Sequence, residues 1–334
     1  MELRFSFIIP IYNRPQELEE LLMSLCQLHA NAPFEVVVVE DGSTISSKEV
    51  VNEYAEKLNI SYYYKENTGP GDSRNYGMKR AKGNYFLILD SDCIIPKHYL
   101  VEVERSLADS FVHCFGGPDA AHDTFSNLQK AINFSMTSFL TTGGIRGGNE
   151  SVDKFQPRSF NMGLSKEAFQ ACGGFGTIHP GEDPDLTLRL WNLGYETRLI
   201  PSAFVYHKRR ISWKKFYQQV RKFGLVRPIL NHWHPTSKKI TYWFPSLFVL
   251  GFMVSLILVI FKIYWLFFCY MAYLGIGFAI SLWNNKSFTV AILSVPAILV
   301  QFVGYGFGFL ESTIKIGFLK RNPEKSFPKL FFKH

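Results

Sequence analysis

The sequence predicts a doubly wound, mostly parallel α/β domain followed by membrane-spanning helices. Three observations carry this. Short apolar runs rich in Val, Ile and Phe alternate with helical-period segments up to about residue 207. The strand-like run Tyr85–Leu89 ends abruptly in two carboxylates, Asp90 and Asp92. After Tyr242, long apolar segments with almost no charge take over.

In order, Phe5–Ile9 reads as a strand, and Pro15 opens a helix with Leu18, Leu21, Leu22, Leu25 and Leu28 at helical spacing. Phe34–Val39 is a second strand, apolar on both faces as in a covered sheet, and it ends in Glu40-Asp41-Gly42-Ser43. A helix (Ser46–Leu58) and a strand (Ile60–Tyr64) follow, then a loop over Asn67–Gly71 and a helix ending near Lys82. Gly69-Pro70-Gly71 is not a dinucleotide fingerprint: the third glycine is missing and the loop does not follow the first strand. Next come the strand Tyr85–Leu89, a strand at Phe111–Phe115 and a helix at Thr124–Leu140. Thr141–Glu150, with four glycines, reads as a loop and is expected to act as a lid. Phe160-Asn161-Met162-Gly163 leads into a helix at Ser165–Ala171, and Glu182-Asp183-Pro184 opens an amphipathic helix running to Gly194. Strands are expected at Thr197–Ile200 and at Val205-Tyr206-His207.

Lys208–Lys222 mixes basic and aromatic residues as an amphipathic helix on a membrane surface does. Trp243–Phe261, Ile263–Trp283 and Phe288–Leu310 each approach or exceed the roughly 20 residues that cross a bilayer. The expected organisation is a catalytic domain over 1–207, a basic interfacial linker over 208–242, membrane-embedded helices over 243–310 and a basic tail over 311–334.

Composition narrows the function classes. The net charge of +8 is concentrated in segments that flank the apolar runs, which suits anionic membrane lipids rather than nucleic acid. Five scattered cysteines with no CxxC pair argue against a disulfide framework or a zinc site. The first apolar stretch is too short for a signal peptide and ends at Pro10, and basic residues precede the first span. Together these place the first domain in the cytoplasm and the chain in the inner membrane as a multi-pass protein. The basic tail would also prefer the cytoplasm, which conflicts with three full crossings.

Several acids have two readings on residue chemistry alone. Asp90 and Asp92 either hold a hard divalent cation at a strand end or sit in a turn, one of them capping the next helix. Asp41 either completes an Asp-Gly-Ser turn or binds a base or ribose. Asp183 before Pro184 is either an N-cap or a general base, and capping leaves Glu182 unexplained. His207 is either a structural histidine or a metal ligand.

The motifs FIIPIYNR, VVVEDGS, GPGDSRNYGMKRAKG, LILDSDCIIP, FNMGLSKEAFQACGGF and GEDPDLTLRLWNLGY, spanning Phe5–Tyr195, resemble glycosyltransferase family 2. These are inverting transferases with a GT-A fold. The resemblance implies a nucleotide-sugar donor, with UDP as the nucleotide, and a lipid-linked or glycan acceptor. Pro10, Tyr12 and Asp41, with Arg74 nearby, would bind the nucleotide, and Asp90 would contact the ribose. Asp92, with His207 as a further ligand, would hold Mn²⁺ or Mg²⁺. Asp183 would be the catalytic base, with Glu182 beside it in the binding site. Gln218-Gln219-Val220-Arg221-Lys222 lacks the Trp of the QxxRW motif found in processive members, which favours adding one sugar or a few. A small processive synthase, or an inactive membrane-anchored binding protein, are the alternatives.

Overall fold

The computed structural model describes residues 2–120, 125–143, 155–207 and 212–332. By internal contacts the chain divides into two compact units: Met1–His122, Glu150–Lys208 and Phe331–His334 in one, Asp123–Asn149 and Arg209–Leu330 in the other.

The first unit is an α/β fold. Its strands are β1 (Phe5–Ile11), β2 (Glu35–Asp41), β3 (Ile60–Lys65), β4 (Tyr85–Leu89), β5 (Cys93–Ile94), β6 (Cys114–Gly116), β7 (Asp119–Ala120), β8 (Asn161–Ser165), β9 (Thr197–Leu199) and β10 (Val205–His207). Seven form one sheet in the order β3-β2-β1-β4-β8-β6-β9, and β5-β10-β7 form a small second sheet. Strands β3, β2, β1 and β4 pair in parallel, and β8 runs antiparallel to both neighbours. The sheet is therefore mostly parallel, as the alternating pattern predicts.

Both faces of β1, β2 and β4 are buried, which explains their near-continuous apolar runs. Phe5, Phe7, Ile9 and Ile11 face helix α1 (Pro15–Leu25) through Leu18, Leu21, Leu22 and Leu25. Ile8, Val37 and Phe86 face the opposite layer, with Met78 from a second helix and Phe169 and Leu186 from two more. Between these lie α2 (Lys48–Glu53), α3 (Pro70–Arg80) and α4 (Tyr99–Asp109).

Strand β8 is a correction: the sequence reading ran Phe160–Gly163 straight into a helix. NMGLS has neither alternation nor branched residues, yet all five residues are buried. Gly163 makes this possible, because a Cβ there would run into the Phe115 ring on β6. The expected strand at Phe111–Phe115 begins three residues later, at Cys114.

The second unit contains α5 (Asn127–Thr137) and α6 (Phe139–Thr142), and then, beyond α7 (Lys166–Cys172) and α8 (Glu182–Asn192) of the first unit, α9 (Trp213–Trp233), α10 (Phe244–Ile260), α11 (Trp265–Asn285) and α12 (Phe288–Ser312). Three stretches are long and apolar enough to cross a membrane: Ile240–Ile260, Trp265–Asn285 and Phe288–Phe318. Helix α9 is not merely an amphipathic surface helix. Its Gly224 meets the α12 backbone at Tyr305 and Phe309, and Gly304 and Gly308 of α12 meet Val220 and Arg221 in return. Small residues on both sides let the backbones approach closely. Arg221 pairs with Glu311 at 2.6 Å, so the Arg of the Gln-Gln-Val-Arg run ties α9 to the end of α12. Ser281 and Ser294, both buried, share a hydrogen bond of 2.7 Å between α11 and α12. The expected lid lies, from Gly144 on, outside the described residues.

Candidate active site

Strands β1, β2 and β4 run parallel, so their carboxyl ends share one edge of the sheet. Pro10, Asp41 and Asp90 come from those ends, where ligands of open α/β sheets bind. Arg74 links that edge to the distant Glu-Asp pair. It is 3% exposed on α3; one guanidinium nitrogen donates to Asp90 at 2.7 Å and another to Glu182 at 3.2 Å. One cation thus joins the acid after β4 to the acid that opens α8. Burial works against the Arg74 charge, but Asp90, Glu182 and Asp183 outweigh it and push its pKa up, so it stays protonated.

Local sequence explains how Arg74 is held. Pro70 starts α3, with Gly69 before it at φ 97°. Asn75 reads the backbone of the glycine-rich turn after α7: its amide donates to the Phe175 carbonyl at 2.9 Å, and its oxygen accepts from the Phe175 N–H at 2.8 Å. Gly174, at φ 77°, leaves room for the Asn75 side chain. The Phe175 ring lies under Arg74, 5.3 Å from the guanidinium carbon. The RN and GGF motifs are therefore two halves of one joint.

The Glu182-Asp183 pair departs from the capping reading. Gly181 takes the N-cap position of α8 with φ 124°, and no side chain caps this helix. Glu182 and Asp183 occupy its first turn, and Pro184 is tolerated there because first-turn amides have no intrahelical partner. Asp183 is thus free of the capping duty that would make it a poor base. Glu182 is buried and also accepts from His179 Nδ1 at 2.8 Å. Burial opposes its charge, yet His179 and Arg74 hold its carboxyl down to about 2. The neighbour behaves oppositely. Burial, and then the Glu182 charge, push the Asp183 carboxyl up, only partly offset by Arg74, Arg158 and a hydrogen bond from Ser159. Asp183 Oδ1 is buried with no hydrogen-bond partner among the described residues. Two adjacent carboxylates with pKa values driven apart are the pattern of a structural anion beside a proton acceptor.

The DSD segment also departs from capping: α4 begins at Tyr99 with His98 at its N-cap. Asp90 is one-third exposed, and Asp92 Oδ2 accepts from Arg14 at 2.8 Å. The antiparallel register of β10 and β5 sets His207 opposite Cys93, one residue from Asp92. Among the described residues no three His, Cys, Asp or Glu side chains are grouped to hold a metal ion. The two Asp carboxylates are hard oxygen donors that suit Mn²⁺ or Mg²⁺ if substrate phosphates and water complete the shell.

Asp41 is 4% exposed and already engaged: Oδ1 accepts from Lys65 Nζ at 2.6 Å and from the Thr68 N–H at 3.0 Å, and Oδ2 from the Gly69 N–H at 2.9 Å. It ties the end of β2 to the loop before α3. Tyr12 is 51% exposed, and Asn13 beside it accepts from the Thr44 and Ile45 amides. Sequence reasoning missed four partners: Arg14, Lys65, His179 and Ser159. Lys65 alone carried a signal, since it ends β3 directly across from Asp41.

A family model described as Glycosyl transferase family 2 matches residues 6–172, half of the chain. The poly(ribitol-phosphate) beta-N-acetylglucosaminyltransferase TarS of Staphylococcus aureus is 42% identical over 101 residues, 29% of this chain and 18% of that protein. The probable glycosyltransferase YdaM of Bacillus subtilis is 26% identical over 228 residues, covering 65% and 53%. Chondroitin synthase of Escherichia coli is 29% identical over 236 residues, covering 61% and 34%. The chain thus spans from under a fifth to about half of the length of these relatives. Among solved structures, a mannosyltransferase from Pyrobaculum calidifontis in complex with GDP-Man and Mn²⁺ superposes with TM-score 0.59 at 17% identity, covering 94% of this chain and 88% of that one. The last likeness is one of fold.

Proposed function

This chain belongs to glycosyltransferase family 2, and from that premise we propose that it is an inverting transferase moving a sugar from a nucleotide-sugar, a UDP-sugar first among them, to a membrane-associated acceptor. The observation that carries the proposal is the Arg74 bridge, which joins Asp90, first of the DSD acids, to Glu182 of the Glu-Asp pair.

The chemistry follows from the residues. An acceptor hydroxyl is a weak acid, so a carboxylate takes its proton as it attacks the anomeric carbon. Asp183 is that base: burial and Glu182 raise its proton affinity, and its Oδ1 has no competing donor. Glu182 stays ionised and, with Asp90, fixes Arg74. In-line displacement inverts the anomeric centre, so no covalent enzyme nucleophile is required. Pro10 and Tyr12 line the nucleotide side, and Asp90 meets the ribose. Asp41 accepts three hydrogen bonds and a carboxylate has about four acceptor sites, so Oδ2 keeps one for the base. Asp92, with His207 across the small sheet, would hold Mn²⁺ or Mg²⁺, which when bound supplies positive charge for the diphosphate of the leaving group. Arg14, which pairs with Asp92 at 2.8 Å, would add a second positive charge beside that diphosphate.

The membrane reading completes the proposal. The three apolar helices anchor the chain in the inner membrane, keep the catalytic unit on the cytoplasmic side and hold it near a lipid-linked acceptor. A hydrolysis screen of UDP-, GDP- and TDP-sugars with Mn²⁺ or Mg²⁺ tests the donor. Release of UDP that depends on the metal is expected; a full-length, folded chain that turns over none of them contradicts the proposal.

A further inference from the structure

The last described residues return to the first unit and lie across two loops of the candidate site. Phe331 forms an antiparallel bridge with Ile178, and the Phe332 N–H donates to the Thr177 carbonyl at 3.0 Å. The Phe332 ring packs on Gly69 so closely that a Cβ there would run into it. The same ring lies 6.0 Å from the His179 ring, centroid to centroid. Each loop touched is tied to a site carboxylate. The Gly69 N–H donates to Asp41 at 2.9 Å, and His179 Nδ1 lies 2.8 Å from Glu182 Oε1. Gly69 and His179 belong to segments 110 residues apart in sequence, and Phe332 spans them with one side chain.

We propose that Phe331–Phe332 is a strap that clamps the Thr68–Gly69 loop to the Thr177–Glu182 loop, and that Phe332 is a positioning residue for nucleotide binding. The role in nucleotide binding rests on the donor-site reading above; the clamp itself does not. Two features support it. Residue 69 is a glycine at φ 97°, which both allows that backbone and leaves a flat surface for an aromatic ring. The bond to Thr177 uses backbone atoms, so it fixes the height of the strap whatever its side chains, while the Phe332 ring supplies the apolar area that holds the loops together. Among the described residues Phe332 meets Gly69, Thr177 and His179 rather than Asp183 or the acids of the DSD segment, so its effect falls on site geometry rather than on proton transfer.

The test compares full-length wild type, Phe332→Ala, Phe332→Tyr and a chain ending at Leu330. The readouts are amide hydrogen exchange over residues 66–71 and 177–182, UDP affinity with Mn²⁺ by calorimetry, and melting temperature. Phe332→Ala and the shortened chain should exchange faster in both segments and bind UDP at least about fivefold more weakly, with melting temperature unchanged. Phe332→Tyr, which keeps the ring, should restore both. Unchanged exchange in Phe332→Ala overturns the strap. So does tighter UDP binding, which would mean that the ring obstructs the site. If wild type binds no UDP, the donor reading falls, while the exchange comparison still decides the clamp.

Discussion

At the scale of single residues, the candidate site gives neighbouring carboxylates different protonation behaviour. Glu182 and Asp183 are adjacent in the first turn of α8, where the helix dipole favours negative charge on both. Glu182 gains two partners, Arg74 and His179, and is held ionised. Asp183 lies close to the same arginine but is dominated by burial and by the Glu182 charge, so its pKa is raised. With Asp183 as the proposed base, which must be deprotonated to act, turnover should fall as pH drops through its raised pKa. The acid limb of the kcat/KM profile should therefore lie above the ordinary aspartate range, near 4. Glu182→Gln removes the charge that helps raise Asp183, so it should move that limb to lower pH while weakening the hold on Arg74. A limb that does not move would show that Glu182 and Asp183 are not coupled. For Glu182 itself the linkage runs the other way: its folded-state pKa is depressed, so its contribution to stability is present above the unfolded value and is lost as pH falls toward about 2.

At the scale of elements, the parallel half of the sheet was legible because β1, β2 and β4 are covered on both faces and read as unbroken apolar runs. Strand β8 was not legible, because its fitness lies in the Phe115 ring that covers Gly163 from another strand. The start of α8 misled for a related reason. Asp-Pro is a strong cap signal, yet a glycine with positive φ one residue before the Glu-Asp pair takes the cap position and shifts the helix start. The apolar helices were plain in the sequence, but how often the chain crosses the membrane was not. Phe331 and Phe332 pair with Thr177 and Ile178 of the first unit, which predicts that Phe332 and that unit share one side of the membrane. That predicts an even number of complete crossings between Lys208 and Phe331, with one of the three apolar stretches lying in the interface or re-entering, in keeping with the basic tail. Reporter fusions after His334 and at the start of the chain should report the same, cytoplasmic side. A periplasmic C-terminal reporter contradicts this topology.

At the scale of the whole molecule, the candidate site was legible as a set of acids and illegible as a network. Asp41, Asp90, Asp92 and Asp183 stand out because each follows or opens an element. Their partners come from places that no local pattern indicates. Arg14 reaches Asp92 across 78 positions, and Arg74 reaches Glu182 across 108. Such pairs are decided by which strand ends the sheet brings to one edge, a property of topology rather than of spacing. The central claim is that carboxylates from distant parts of this family 2 chain converge on one donor sugar, with Asp183 as the base. Its most direct test is Asp183→Asn in the full chain, measuring sugar transfer or donor hydrolysis together with UDP affinity. The substitution keeps shape and removes the proton acceptor, so turnover should fall by about 10²–10⁴-fold while UDP binds as in the wild type. Turnover within a few-fold of the wild type would contradict the account.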